Sequence, residues 1–205
     1  MLIIIAGMGL CGFVFLWFDQ TSKVGHVWVN LFLVQLVVLP SIIIHEFAHA
    51  IVGQLCSLSV LRIWIGRGKT IFRPRLFGFD TEFKLIPFGG LTFLTHGFTN
   101  RLRFRYFLAI LAGPLVNALI LGLTWKYVSW RNFSLESTIQ LPAFVVLAQI
   151  FILVENLVPY RLQTALGRLS TDGLSLFQLL FGKSPDVLSS PLRYDANPSE
   201  TTFTR

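Results

Sequence analysis

Long apolar blocks separated by basic connections constrain this chain more than any single motif. They run from about Leu2 to Phe18, Val27 to Cys56, Tyr106 to Val128 and Leu141 to Val158. A helix needs ~20 mostly apolar residues to cross a hydrocarbon core, and each block meets or nearly meets that length. Only 13% of the 205 residues are charged, against ~25% in soluble domains, so the bilayer is the solvent this composition suits. The first block has no basic start and no A-x-A-like cleavage site, and is read as a retained span rather than a signal peptide. The fourth is closed by Pro159, which disfavours helix at the residue before it. Cys11 and Cys56 lack metal-ligand spacing and are read as buried thiols.

Between the second and third blocks the pattern changes. From Ser57 to Arg105, apolar Ile63, Ile65, Phe79 and Phe83 are interleaved with Arg62, Lys69, Arg73 and Lys84, and broken by Gly66, Gly68 and Gly78. Partial period-two alternation of this kind predicts a β-hairpin. Unpaired strand edges cannot face lipid, so it must lie at the membrane surface or line a cavity. The stretch Leu174–Phe181 is too short to span and is expected as a short interfacial or re-entrant helix. Residues 184–205 are rich in Ser, Pro, Asp and Thr and are expected to be a flexible tail. The expectation is one membrane-embedded domain over 1–183, mainly α and polytopic, with about four spans and the hairpin insertion at 57–105.

The net charge of +7 does not point to nucleic acid, because the basic residues sit between apolar blocks, where they meet anionic headgroups. The loop 57–105 holds nine Lys and Arg, and the chain after Pro159 holds five more. With four spans these fall on one side of the membrane, and the positive-inside rule makes that side cytoplasmic, with both termini.

His45-Glu46-Phe47-Ala48-His49 lies in the second apolar block and matches H-E-x-x-H. Residues four apart on a helix share a face, so both imidazoles can reach one Zn²⁺ with Glu46 beside it to act on water. With four His and five Glu in the chain, chance supplies the pattern in roughly one of 500 shuffled sequences. Two histidines and a carboxylate inside an apolar span are costly, and such groups are functional candidates by default. A catalytic zinc takes three protein ligands and keeps one open position. On chemistry alone the candidates for the third are Asp172, then Glu155, then His96.

Four motifs in order resemble the site-2 protease family of intramembrane zinc metalloproteases, in a compact form without a PDZ domain. They are HEFAH; Ile86-Pro87-Phe88-Gly89-Gly90, similar to the P-x-G-G of a membrane-associated β-hairpin; Gly113-Pro114-Leu115-Val116-Asn117, similar to G-P-x-x-N; and Asn156-Leu157-Val158-Pro159 followed by Asp172-Gly173, similar to N-x-x-P…D-G. The resemblance implies zinc held by His45, His49 and Asp172, with Glu46 catalytic. It also implies a substrate-binding role for Asn156, for Asn117 (with helix packing as its other reading) and for Gly89 and Gly90 at the hairpin. The substrate it implies is a membrane protein with a transmembrane helix, cleaved in a bacterial-type cell membrane. One departure stands out: Tyr160 to Thr171 intervene between the asparagine and the aspartate, which many members hold closer together. The rival expectations are a non-catalytic zinc- or client-binding protein on the same scaffold, and a metal transporter using the same side chains.

Overall fold

The computed structural model describes residues 2–20, 22–96, 100–136, 140–164 and 167–181; the expected tail at 184–205 lies outside them. The helices are α1 (Leu2–Phe18), α2 (Lys23–Leu55), α3 (Leu102–Trp125), α4 (Leu141–Leu157) and α5 (Asp172–Leu180). Strands β1 (Ser59–Phe72), β2 (Arg75–Leu76) and β3 (Phe79–Thr95) lie between α2 and α3, and β4 (Arg161–Thr164) and β5 (Gly167–Ser170) between α4 and α5. The fold is mostly helical with a small sheet, and α2 is its hub, packing against α1, α3, α4 and the sheet.

Among the described residues, two helices are long and apolar enough to cross a membrane, α2 with 33 residues and α3 with 24. Helices α1 and α4 have 17 residues each, or ~26 Å at 1.5 Å per residue, against a hydrocarbon core of ~30 Å. Where about four spans were expected, two meet the length by themselves.

Apart from Asn117, the inner and outer faces of the middle of α3 are apolar. Ala109, Gly113 and Asn117, spaced by four, are buried. Leu115, Leu119 and Leu123, also spaced by four, are 58–60% exposed. Small residues turned inward let α3 pack closely on its neighbours, and leucines turned outward leave its far side apolar, as in a helix with protein on one face and lipid on the other. On α2, Ile44, Ile51 and Leu55 are likewise exposed while His45, Glu46 and His49 are buried. Cys11 is exposed and Cys56 half-buried, so neither is the buried thiol expected of it.

The sheet is more closed than a simple hairpin. Ile63 pairs with both Thr92 and Thr81, Trp64 with Leu91 and Glu82, and Ile65 with Gly90 and Phe83. The long strand β3 therefore flanks the middle of β1 on both sides. The crossing is made at Gly66, at φ +90°, where a Cβ would meet the Ile86 carbonyl oxygen and lie 3.2 Å from the Pro87 Cα. Only glycine admits both that dihedral and that approach. Ile63 and Ile65 join Ile42 and Phe47 of α2 and Ile152 of α4 in one core cluster, which sets the sheet against the helices.

A buried carboxylate anchors the sheet internally. Glu82 accepts from Arg62 Nη1 at 2.8 Å and from the Thr70 hydroxyl at 2.8 Å, with Lys84 Nζ at 3.4 Å and Arg73 Nε at 3.6 Å. Burial pushes the Glu82 carboxyl up, but the Thr70 hydroxyl and the three cations outweigh it and hold it below its ordinary value.

Candidate active site

The H-E-x-x-H histidines lie on α2, with His45 ten residues, or about 15 Å, before the end of the helix at Leu55. Both are almost fully buried. Asp172 is the first residue of α5, whose N-cap Thr171 accepts from the Leu174 N–H. The structure brings the three together. His45 Nε2 is 3.1 Å and His49 Nε2 3.2 Å from Asp172 Oδ2, and the two Nε2 atoms are 3.0 Å apart.

The insert before Asp172 does not displace it, because the insert folds on itself. Strands β4 and β5 pair from Arg161↔Ser170 to Thr164↔Gly167, and the chain leaves where it entered. The Thr171 N–H donates to the Tyr160 carbonyl at 3.1 Å. Its hydroxyl donates to the Val158 carbonyl at 2.8 Å and accepts from the Tyr160 N–H at 3.3 Å. Gly173 then lies against the last turn of α4, where a Cβ would meet the Leu157 carbonyl. The glycine is what admits this close helix contact.

These donors fit a metal ion. His49 Nδ1 is 2.8 Å from the Ala109 carbonyl, which can only accept, so Nδ1 carries the ring proton and Nε2 presents a lone pair. A carbonyl fixing the tautomer in this way is the usual support of a metal-bound imidazole. Lone pairs this close repel unless a proton or a metal ion sits among them. Two donors each ~2.0–2.1 Å from one tetrahedral zinc lie about 3.3–3.4 Å apart, so the triangle need open only by a few tenths of an ångström. Space for an ion is kept by α3: a Cβ on Gly113 would collide with His49 Nε2 and lie 2.7 Å from His45 Nε2.

Glu46 is 5% exposed and is held by β3. The Thr92 hydroxyl donates to its Oε2 at 2.7 Å, and a Cβ on Gly90 would fall 2.5 Å from its Oε1. The other expected residues are placed as follows. Asn117 is fully buried on α3, and neither polar atom of its amide has a partner among the described residues. Asn156 is half-buried and donates to the Ile152 carbonyl of its own helix at 3.0 Å. Gly89, at φ +67°, lies under the guanidinium of Arg67, which reaches Glu155 at 3.2 Å. Of the other ligand candidates, Glu155 is thus paired elsewhere, and His96 is exposed with its ring 6.1 Å from that of Tyr106. Neither joins the triangle. No role at the site was expected of Thr92 or Arg67, and Gly113 was expected only as part of the G-P-x-x-N motif. One could have been expected of Thr92, since it lies two residues beyond Gly90 and therefore on the same face of its strand.

Comparison with known proteins decides the family. The family model described as Peptidase family M50 matches residues 32–193. The chain belongs to peptidase family M50. This is the site-2 protease family that the four motifs resemble, and the matched region contains all of the residues just described. A Chlamydia pneumoniae protein, named provisionally as a zinc metalloprotease, is 26% identical over 106 residues. The alignment covers 42% of this chain and 17% of the relative, so the chain spans about a sixth of that relative's length. Together these mark a metalloprotease family associated with membranes.

Proposed function

We propose that the chain is an intramembrane zinc metalloendopeptidase that cleaves peptide bonds within or beside a transmembrane helix. The observation that carries the reading is the buried triangle of His45 Nε2, His49 Nε2 and Asp172 Oδ2, with sides of 3.0–3.2 Å, next to the buried carboxylate of Glu46.

His45, His49 and Asp172 would hold the zinc, which when bound polarises the scissile carbonyl and makes water a nucleophile near neutral pH. Glu46 takes a proton from the attacking water and passes it to the leaving amine nitrogen. Asp172 supplies negative charge to the site from across the helix interface. A helical peptide bond is already hydrogen-bonded within its own turn, so the substrate must be drawn out into extended form first. The backbone at Gly89–Gly90 of β3 offers an edge for that strand. The Asn156 amide, now satisfied within α4, exchanges its bond for one to the substrate backbone. The Asn117 amide, without a partner among the described residues, lies one turn along α3 from Gly113 and on the same side of that helix.

In this reading α1 and α4 also cross the bilayer, which thins or lets flanking residues reach the headgroups to match their 17 residues. The basic sheet and both termini then lie in the cytoplasm of a bacterial-type cell. The test is cleavage of doubly labelled single-span peptides in vesicles that contain the purified protein. Wild type cleaves, and Glu46→Gln does not although it retains zinc. Full activity in Glu46→Gln rules the mechanism out. Zinc binding with no cleavage by wild type favours a non-catalytic binding protein, and metal flux across sealed vesicles favours a transporter.

A further inference from the structure

Glu46 lies on an apolar stretch of α2, and the residues one turn away on its own helix, Ile42, Ile43, His49 and Ala50, offer its carboxylate only an imidazole that is already engaged. Its donor comes from 46 positions away, the Thr92 hydroxyl at 2.7 Å from Oε2. The same hydroxyl is 3.0 Å from the Glu46 backbone carbonyl, so Thr92 brackets both ends of the residue. On the other oxygen, the Gly90 backbone leaves no room for a methyl group. The carboxylate is thus pinned between a donor and a wall, both on one strand. That strand is itself fixed, since Thr92 pairs with Ile63 and Gly90 with Ile65, and both isoleucines are fully buried.

We propose that Thr92 is a positioning residue for the hydrolysis, binding Oε2 of Glu46 and so holding the carboxylate in the one orientation from which its other oxygen, Oε1, can take the proton from water. The inference rests on the protease reading. It assigns the sheet a second task, because the strand whose edge suits an extended substrate also sets the catalytic carboxylate. A hydrogen bond to a charged group at a buried site is worth enough to change a rate by roughly 10–100-fold.

The test compares Thr92→Val, which keeps shape and β-branching but lacks the hydroxyl, with Thr92→Ser, which keeps the hydroxyl. In the vesicle assay Thr92→Val lowers kcat by roughly 10–100-fold with KM and zinc content unchanged, and Thr92→Ser restores most of it. The carboxylate stretch of Glu46, isolated as the infrared difference between wild type and Glu46→Gln, shifts in Thr92→Val and not in Thr92→Ser. A folded, zinc-loaded Thr92→Val with wild-type kcat, or an unshifted band, overturns the proposal. If Glu46→Gln is inactive and Thr92→Val is not, only the role of Thr92 falls. If Glu46→Gln is fully active, the protease mechanism falls and takes this role with it.

Discussion

Thr171 and Tyr160 close the neck of the β4–β5 hairpin: the Thr171 N–H donates to the Tyr160 carbonyl at 3.1 Å, and the Tyr160 N–H donates back to the Thr171 hydroxyl at 3.3 Å. The next residue is Asp172, so this neck holds the third corner of the candidate metal triangle against α4. Thr171→Val removes the hydroxyl that also caps α5 and bonds Val158. A lost N-cap costs ~1 kcal/mol, and a loosened ligand support lowers metal affinity roughly 10–100-fold. Zinc titration against a chelator should show this weakening with helical content unchanged. Unaltered affinity would mean that Asp172 is held by something else.

Gly113 faces the two Nε2 atoms and leaves the space between α2 and α3 open. Gly113→Ala places a methyl group there, and overpacking of this kind costs about 1–3 kcal/mol. Zinc affinity should fall roughly 10–100-fold, read as bound zinc after dialysis at fixed free metal. The protein should remain folded in detergent.

Gly90 makes the complementary prediction. A methyl group at residue 90 meets the Glu46 carboxylate, not the histidines. Gly90→Ala should therefore retain zinc and lose cleavage. Measuring both properties on both variants separates the metal-holding side of the site from the proton-transfer side.

Glu82 predicts a pH dependence for the sheet. Its carboxyl is held below its ordinary value in the fold, so its stabilisation is fully present above the unfolded pKa of ~4.3 and is lost as pH falls through that value toward the folded one. Glu82→Gln should lower stability near pH 7 by about 1–3 kcal/mol. The gap between variant and wild type should narrow in thermal unfolding as pH falls below about 4 and close at still lower pH, once the folded carboxyl is protonated. A gap that persists there would place the effect in packing, not charge.

Much of the architecture was legible from composition and spacing. The four apolar blocks become α1 to α4 with ends displaced by a few residues, because apolar run length and the boundary at Pro159 are local signals. His45, Glu46 and His49 were legible because helical periodicity alone puts the histidines on one face. Asp172 was reachable by chemical ranking and by the D-G of the family resemblance but not by periodicity, since its approach depends on the neck at Tyr160 and Thr171. What stayed hidden depends on pairings between distant segments. The wrap of β3 across Gly66 follows from a crossing of backbones, and alternation is blind to which side of β1 each half takes. Thr92 touches a residue 46 positions away, and Arg67 reaches Glu155 across 88.

The central claim is that His45, His49 and Asp172 of this M50 chain hold one catalytic zinc. Its most direct test is zinc stoichiometry with X-ray absorption at the zinc edge, on wild type, His45→Ala and Asp172→Ala purified in detergent. The account predicts one zinc per chain in wild type, with nitrogen and oxygen ligands at ~2.0–2.1 Å, and loss of that zinc in both variants. A wild type that takes up no zinc, or an Asp172→Ala that keeps it with an unchanged ligand shell, would contradict it.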